Sequence, residues 1–271
     1  MPRRVIFVTG AGTSAESGVR TFRTDTASGK AMWDEYDIEE VCDLGSFQSG
    51  FRYLRNGDSV LGAVDEDGLD LYTKTHNFYN ARRKELGSVQ PNAAHLAIGD
   101  FYKRYPSQVI NFTTNVDDLL ERSGIPHEDV IHAHGYLPEV RYKRDKFGDQ
   151  EVLVDIGYNE FDHEEFYWAK PNVVFFGESA PFYQGKINLF NELTSQDLVI
   201  VVGCSNQVIN FNWEVFPSLK HGTKMAVVNP DINYLEQELY GERGVLAYRC
   251  GAVEAFTNKH FLAMIEKHLE G

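Results

Sequence analysis

The chain has 271 residues, of which 42% are hydrophobic and 24% are charged, and its formal net charge is −14 at pH 7. These values are typical of a globular protein that can bury a large core. The negative charge argues against nucleic-acid binding, since duplex binders neutralise phosphates with Lys and Arg. The sequence has no signal-type segment and no apolar stretch that could span a membrane, so we expect a cytoplasmic protein without membrane or nucleic-acid partners.

The apolar pattern predicts strands that alternate with helices. Strands are predicted from six apolar runs, at 5–8, 109–112, 130–133, 173–176, 198–202 and 225–228. Helices are predicted at 92–105, 116–123, 186–194, 232–240 and 252–269. This alternation predicts an α/β fold with a Rossmann-like, doubly wound parallel sheet.

Two stretches lack this alternation of strands and helices, and they predict a second lobe. Residues 24–87 have a largely helical pattern, and residues 136–170 are polar and aromatic. We expect both to form a small inserted lobe. Residues 1–23, 88–135 and 171–271 would then form the Rossmann-like domain.

The turn after the first predicted strand has the spacing of a dinucleotide-binding loop. Gly10, Ala11 and Gly12 would let the backbone approach a pyrophosphate, with helix amides as donors. The glycines alone are weak evidence, because a tight strand-to-helix turn needs small residues even without a ligand. Ligands of such sheets bind beyond the carboxyl ends of the strands. The residues that follow the predicted strands, and that we expect to face one crevice, are 10–12, 114–117, 134–135, 177–178, 203–205 and 229.

Several motifs resemble those of the sirtuins, the NAD-dependent protein-lysine deacylases, and occur in the same order. They are GAGTSAESGVRTFR at 10–23, FTTNVDD at 112–118, VIHAHG at 130–135, PNVVFFGE at 171–178 and GCSNQV at 203–208. The resemblance implies a Rossmann-like fold, bound NAD and an acyl-lysine protein or peptide as substrate. The products would be nicotinamide, O-acyl-ADP-ribose and free lysine.

The resemblance also implies roles for individual residues. His134 would accept a proton from a ribose hydroxyl, since histidine is the side chain whose unperturbed pKa lies near neutrality. Asn115, Asp117 and Arg23 would be the other catalytic residues, although an Asn or Asp after a strand can also be a simple helix cap. The implied NAD-binding residues are Gly10, Ala11, Gly12, Phe22, Arg23, Thr114, Asn115, Asp117, Gly203, Cys204, Ser205, Asn229 and Cys250. His132 is interpreted as a packed histidine or a fragment of a metal site.

Tyr79 and Arg82 lie three residues apart, on one face of a predicted helix. Without the family they would be interpreted as ordinary surface residues. In sirtuins that remove succinyl or malonyl groups, a Tyr-x-x-Arg pair binds the acyl carboxylate, and Cys42 takes the place of a small residue in that pocket. We therefore expect succinyl, malonyl or acetyl groups as substrates.

The substrate peptide would pair with the backbone of the FGE segment by strand addition. By resemblance, the residues that contact it are Val174, Phe175, Phe176, Gly177 and Glu178.

Departures from the sirtuin motifs leave alternatives open. Thr114 replaces a Gln, Leu120 a His and Arg20 a Pro. Residues 136–170 also lack the four cysteines that hold zinc in most sirtuins, so we expect no zinc and no other metal. One alternative is an NAD glycohydrolase or ADP-ribosyltransferase, and another is a non-catalytic NAD- or ADP-ribose-binding module. A dehydrogenase is disfavoured, because no acidic ribose-binding residue follows a second strand.

Overall fold

The computed structural model describes residues 2–21, 36–58, 60–147, 150–179, 189–204 and 216–271. The chain divides into two compact units. Unit 1 comprises Met1–Gly18, Gln90–His134 and Pro181–Gly271, and unit 2 comprises Val19–Val89 and Gly135–Ala180. The sequence predicts residues 171–180 in the larger domain, whereas the described residues 171–179 group with unit 2.

The described residues include nine strands and nine α-helices with full bounds, and residues 189–191 are also helical. The strands are β1 (Arg4–Thr9), β2 (Val109–Thr113), β3 (Val130–His132), β4 (Gly135–Lys143), β5 (Val152–Asp155), β6 (Trp168–Val173), β7 (Asp197–Val202), β8 (Lys224–Val228) and β9 (Leu246–Tyr248). The helices are α1 (Ala11–Ala15), α2 (Ile38–Val41), α3 (Leu44–Asn56), α4 (Leu71–Ser88), α5 (Ala93–Arg104), α6 (Phe216–Leu219), α7 (Tyr234–Glu242), α8 (Ala252–Thr257) and α9 (Lys259–Glu270). Short 3-10 helices lie at Glu121–Ser123, His127–Asp129 and His163–Glu165. No helix in this described part of the chain is both long and apolar enough to cross a bilayer.

Unit 1 is built on a six-stranded parallel sheet with the order β3-β2-β1-β7-β8-β9. Every residue of β7 is buried, as expected for a parallel strand whose two faces are both covered. Val5 and Phe7 contribute to one hydrophobic cluster, and Ile6 and Val8 contribute to another. The predicted Rossmann-like α/β fold is therefore confirmed.

Two predicted helices of unit 1 differ in the structure. Within 116–123 only Glu121–Ser123 is helical, and it is a 3-10 turn. Here the Asp117 carboxylate accepts a hydrogen bond from Leu119 N, a local contact that competes with helix formation. The predicted helix 252–269 is two helices, because Asn258 ends α8 and its side chain caps the start of α9. Of the predicted helix 186–194, residues 186–188 lie outside the described residues.

Unit 2 contains helices α2 to α4 and a three-stranded antiparallel sheet with the order β5-β4-β6. The prediction that 173–176 is a strand of the main sheet is wrong. The strand is β6, which ends at Val173 and pairs with β4, and Phe176 beyond it forms an isolated bridge to Asp43. The apolar run correctly indicated an extended segment, but it could not indicate which strand this segment pairs with.

Aromatic and polar side chains fill the interior of unit 2. The rings of His76 and His163 stack at 4.6 Å with an interplanar angle of 2°. His76 donates from Nε2 to the carbonyl of Ala169 (3.1 Å), and the Tyr72 hydroxyl accepts a hydrogen bond from Ala169 N (2.7 Å). Arg83 of α4 is fully buried and donates from Nε to a carbonyl of β4. These contacts fasten α4 to the small sheet.

Candidate active site

The loop after β1 packs tightly on the loop after β7. Gly12 N donates to the carbonyl of Gly203 (3.0 Å). A Cβ on Gly10 would lie 2.7 Å from Cys204 Sγ, and one on Gly203 would lie 2.4 Å from Thr13 N. Gly203 also has a positive φ of 61°. The glycines predicted to approach a ligand are therefore required by the contact between these two loops as well.

Asn115, in the loop after β2, is held by hydrogen bonds to the glycine turn. Its side-chain Nδ2 donates to the carbonyl of Gly10 (3.1 Å) and to Ser14 Oγ (3.0 Å). Its backbone N donates to Thr113 Oγ1 (3.0 Å). Both the backbone and the amide of Asn115 are thus fixed at the carboxyl edge of the sheet.

His134 follows β3 and is half-buried. Its Nδ1 lies 2.9 Å from the carbonyl oxygen of Thr114. Because a carbonyl only accepts, Nδ1 carries the hydrogen, and in the neutral ring the lone pair is on Nε2. The backbone next to Asn115 therefore selects the tautomer in which His134 can act as a base through Nε2.

Ser14 connects two buried titratable side chains. His95 Nδ1 accepts from Asn92 N (3.2 Å), so its Nε2 carries the hydrogen that Ser14 Oγ accepts (3.3 Å). Burial raises the pKa of Asp117, although hydrogen bonds from Ser14 and Leu119 N oppose the rise. Burial lowers the pKa of His95 to about 4. His95 is therefore neutral at physiological pH.

The loops after β7 and β8 also meet through backbone and amide groups. Asn229 Nδ2 donates to the carbonyl of Cys204 (3.1 Å), and its Oδ1 accepts from Asp231 N (3.0 Å). Burial raises the pKa of the Cys204 thiol to about 12 and also raises that of half-buried Cys250. Both cysteines are thus thiols at neutral pH. The predicted site residues Phe22, Arg23 and Ser205 lie outside the described residues.

The polar groups at this edge suit a dinucleotide. The first turn of α1 contains no acidic residue that would repel a phosphate. The hydroxyl of Ser17 is buried without a hydrogen-bond partner among the described residues, so a polar group is available next to α1. The amides of Asn115 and Asn229 can pair with ribose hydroxyls. The chemistry of the donor set therefore fits NAD.

Comparisons with known proteins identify the family of the chain. The sequence profile of the Sir2 family matches residues 10–210. A Helicobacter hepaticus protein named NAD-dependent protein deacylase is 36% identical over 232 residues, which cover 78% of each chain. The chain belongs to the Sir2 family. A Vibrio cholerae protein of the same name is 32% identical over 245 residues, covering 89% of this Sir2 chain and 87% of its own length.

Solved structures show the same Sir2 fold. A mutant of a Sir2 homologue in complex with ADP ribose has a TM-score of 0.69 at 24% identity and covers 98% of this chain and 93% of its own. A complex of a Sir2 homologue with NAD has a TM-score of 0.66 at 25% identity and covers 98% of this chain and 90% of its own.

Unit 2 of this Sir2 protein holds the residues predicted to contact the acyl group. The Tyr79 hydroxyl donates to Cys42 Sγ (3.5 Å), and both side chains are buried. Burial raises the pKa of Cys42 to about 11 and raises that of Tyr79. Arg82 donates from Nη1 to Glu85 Oε2 (2.5 Å) and from Nη2 to the carbonyl of Arg20 (3.1 Å). The Tyr79 hydroxyl and the Arg82 guanidinium thus already have partners within the protein.

The FGE segment is hydrogen-bonded along two sides. Phe176 N donates to the carbonyl of Cys42 (2.8 Å), and the Phe176 carbonyl accepts from Leu44 N (3.0 Å). On the other side, Phe175 N donates to Glu178 Oε2 (2.9 Å), and the Phe175 carbonyl accepts from Glu178 N. Strand addition at Val174 to Glu178 stays a prediction, and at Phe175 a peptide would have to replace the contacts of Glu178.

Sequence reasoning missed three residues that the structure brings into these networks. Ser14 and His95 were not among the predicted site residues, and only the Asn-x-x-His spacing of a capping box pointed to His95. Glu85 is the third, and it forms ion pairs with both Arg20 and Arg82. No sequence signal identified it, because its role depends on the position of two arginines.

Proposed function

We propose that the chain is an NAD-dependent protein-lysine deacylase that acts in the cytoplasm on acetyl-, succinyl- or malonyl-lysine. The observation that carries this proposal is the hydrogen bond from His134 Nδ1 to the Thr114 carbonyl (2.9 Å). It gives the ring the tautomer of a general base next to Asn115. The names of the Sir2 relatives support the same activity.

Each of the residues at the carboxyl edge of the sheet has its own role in the proposed reaction. NAD, when bound, supplies a ribose carbon with nicotinamide as the leaving group. The backbone at Gly10, Ala11 and Gly12 would hold the phosphates. Asn115 would orient a ribose, and His134 would take a hydroxyl proton on Nε2. Asp117 would accept a hydrogen bond from the nicotinamide carboxamide.

Removal of succinyl or malonyl groups would depend on residues of unit 2. Arg82 is paired with the carboxylate of Glu85, and Arg20 pairs with the same carboxylate. A planar guanidinium binds a carboxylate by two parallel hydrogen bonds. An acyl carboxylate would share Arg82 with Glu85 or replace it, with Tyr79 as a further donor. An acetyl group offers no such partner.

One observation favours a second candidate, NAD hydrolysis or ADP-ribosyl transfer. The Thr114 hydroxyl, which replaces a family Gln, donates to the carbonyl of Thr9 (3.2 Å). The Thr114 hydroxyl is therefore used in a hydrogen bond to the backbone of the first strand. A Gln side chain at this position would be longer and could extend beyond the edge of the sheet. Looser contact with the ribose would admit water or another acceptor.

We also propose that unit 2 holds together without zinc. Support comes from the absence of cysteine in residues 136–170 and from the packing around His76 and His163. Chelator treatment should then leave the unfolding of unit 2 unchanged.

The experiment is incubation with NAD and matched acetyl-, succinyl- and malonyl-lysine peptides, followed by mass spectrometry. The proposal expects loss of the acyl group together with O-acyl-ADP-ribose and nicotinamide. Nicotinamide release at the same rate without peptide would instead support the second candidate. Intact acyl groups on all three peptides would refute the deacylase.

A further inference from the structure

A cluster of one carboxylate and two imidazoles lies in unit 1, outside the residues assigned to NAD. Glu121 opens the 3-10 helix Glu121–Ser123, His127 opens the next one, and His132 ends β3. Glu121 Oε1 is 2.6 Å from His132 Nε2 and 3.0 Å from His127 Nδ1. One ligand atom from each of the three residues lies within 4.8 Å of the others.

The backbone that presents these side chains is fixed. Leu120 and Ile125 on either side of the turn are buried in the hydrophobic core of unit 1. Gly124 closes the 3-10 turn with a positive φ of 103° and donates from its N to the carbonyl of Glu121 (2.9 Å). The cluster is therefore preorganised by the fold and does not depend on mobile surface side chains meeting by chance.

The hydrogen bond made by His132 Nδ1 directs its other ring nitrogen at Glu121. His132 Nδ1 lies 3.3 Å from the carbonyl oxygen of Asn115, so Nδ1 carries a hydrogen. Nε2 is therefore the nitrogen that faces Glu121 Oε1, and it is the atom that a bound cation would take as a ligand.

A second observation concerns the other carboxylate oxygen. Glu121 Oε2 is buried and has no hydrogen-bond partner among the described residues. A buried carboxylate oxygen without a partner is an acceptor that a bound cation would satisfy.

We propose that Glu121, His127 and His132 form a binding site for a divalent cation of the Zn²⁺ class. Two imidazole nitrogens and one carboxylate oxygen are the ligand set of a three-coordinate zinc site with an open fourth position. The side chain of His127 is 47% exposed, whereas those of Glu121 and His132 are 11% and 6% exposed, so the open position faces solvent on the His127 side. This site differs from the cysteine zinc site whose absence the sequence predicts, and it departs from the expectation that no other metal binds.

The site is linked to the proposed catalytic loop by one hydrogen bond. A carbonyl that accepts from the remote nitrogen of a metal-bound histidine is a common outer-shell partner. Here that carbonyl belongs to Asn115, whose amide also binds Gly10 and Ser14. Occupancy of the site would therefore restrain the backbone of Asn115, and His132 would act as a positioning residue.

Zn²⁺ titration of the chelator-treated protein against a chromophoric chelator tests the proposal. We expect one equivalent of Zn²⁺ to bind. His127→Ala and Glu121→Gln should each raise the Kd at least about 10-fold, because even loss of an outer-shell partner typically has that effect. His260→Ala, which removes an exposed histidine of α9, is the matched control and should leave the Kd unchanged.

A second readout separates this site from the thiols. Co²⁺ bound to the cluster should give tetrahedral d–d bands without a thiolate charge-transfer band, and these bands should disappear in His127→Ala. His127 is largely exposed, so this variant should keep the wild-type circular dichroism spectrum. Failure to bind Zn²⁺, equal affinity in all variants, or a thiolate band would overturn the proposal. None of these results bears on deacylation itself.

Discussion

The two units of the chain are stabilised in different ways. Unit 1 buries a parallel sheet between two large hydrophobic clusters, and its polar residues concentrate at the carboxyl edge. Unit 2 has a small antiparallel sheet, a hydrophobic cluster that contains the buried residues Val140, Phe161 and Ala169, and further buried apolar side chains on its helices. Its interior also holds the buried polar side chains of His76, His163 and Arg83. In the function proposed above, unit 1 would hold the residues of the chemistry and unit 2 those that select the acyl group.

Among the substitutions in unit 1, Gly203→Ala is expected to have the largest effect on stability. Ala there would combine a positive φ with a Cβ 2.4 Å from Thr13 N, and we expect a loss of about 2–4 kcal/mol in the free energy of unfolding. Gly244→Ala is the control, since Gly244 has a similar φ of 69° and nothing within 4 Å of a new Cβ, so it should lose only about 1 kcal/mol. Urea unfolding measures both. Equal losses would show that the two loops of unit 1 do not need their close contact.

Each unit contains a buried histidine whose protonation should make the stability of the protein depend on pH. His95 has a pKa lowered to about 4 by burial, so the unfolded chain takes up its proton first as the pH falls below about 6.5. The contribution of His95 to the free energy of unfolding is therefore fully present above pH 6.5. It falls by about 3 kcal/mol as the pH drops towards 4. His76 of unit 2 has a pKa lowered by burial and acts in the same direction.

Urea unfolding between pH 7 and pH 4 should be compared for the wild type, His95→Gln and His76→Gln. Each variant should flatten the pH dependence, because Gln takes up no proton. A profile of His95→Gln parallel to that of the wild type would contradict the burial argument for unit 1.

The smallest effect concerns acyl selection in unit 2. Arg82→Met removes the guanidinium while keeping much of the side-chain volume, and it should lower the ratio of succinyl to acetyl turnover roughly 10-fold or more. Lys84→Met, which removes an exposed cation from the same helix, should leave that ratio unchanged. Competition of the two peptides in one reaction gives the ratio directly. An unchanged ratio in Arg82→Met would assign the selection to other residues.

Much of unit 1 could be predicted from sequence because its strands are continuous apolar runs. Runs 5–8, 109–112, 198–202 and 225–228 lie within β1, β2, β7 and β8. β9 was missed, since Leu246–Tyr248 is only three residues long and none of its residues is buried. Unit 2 was less predictable, because β4 contains Pro138 and charged residues and depends on β6 for its pairing.

Only part of the candidate site could likewise be predicted from the sequence. Motifs predicted site residues such as His134, Asn115 and Asp117, whose proposed roles depend on residue type and order. The contacts of Ser14 with His95, and of Glu85 with two arginines, depend on side-chain positions that no spacing encodes. Hydrogen bonds between distant segments are therefore what the structure adds.

The most direct test of the account is the deacylation rate of His134→Ala on the acyl-lysine peptide that the wild type accepts best. General-base catalysis typically contributes about 10²–10⁴-fold, so we expect turnover to fall by that factor. ADP-ribose affinity, measured by calorimetry on the same preparation, should be unchanged within about 3-fold, because the account assigns His134 to proton transfer and not to binding. Turnover equal to that of the wild type would contradict the account.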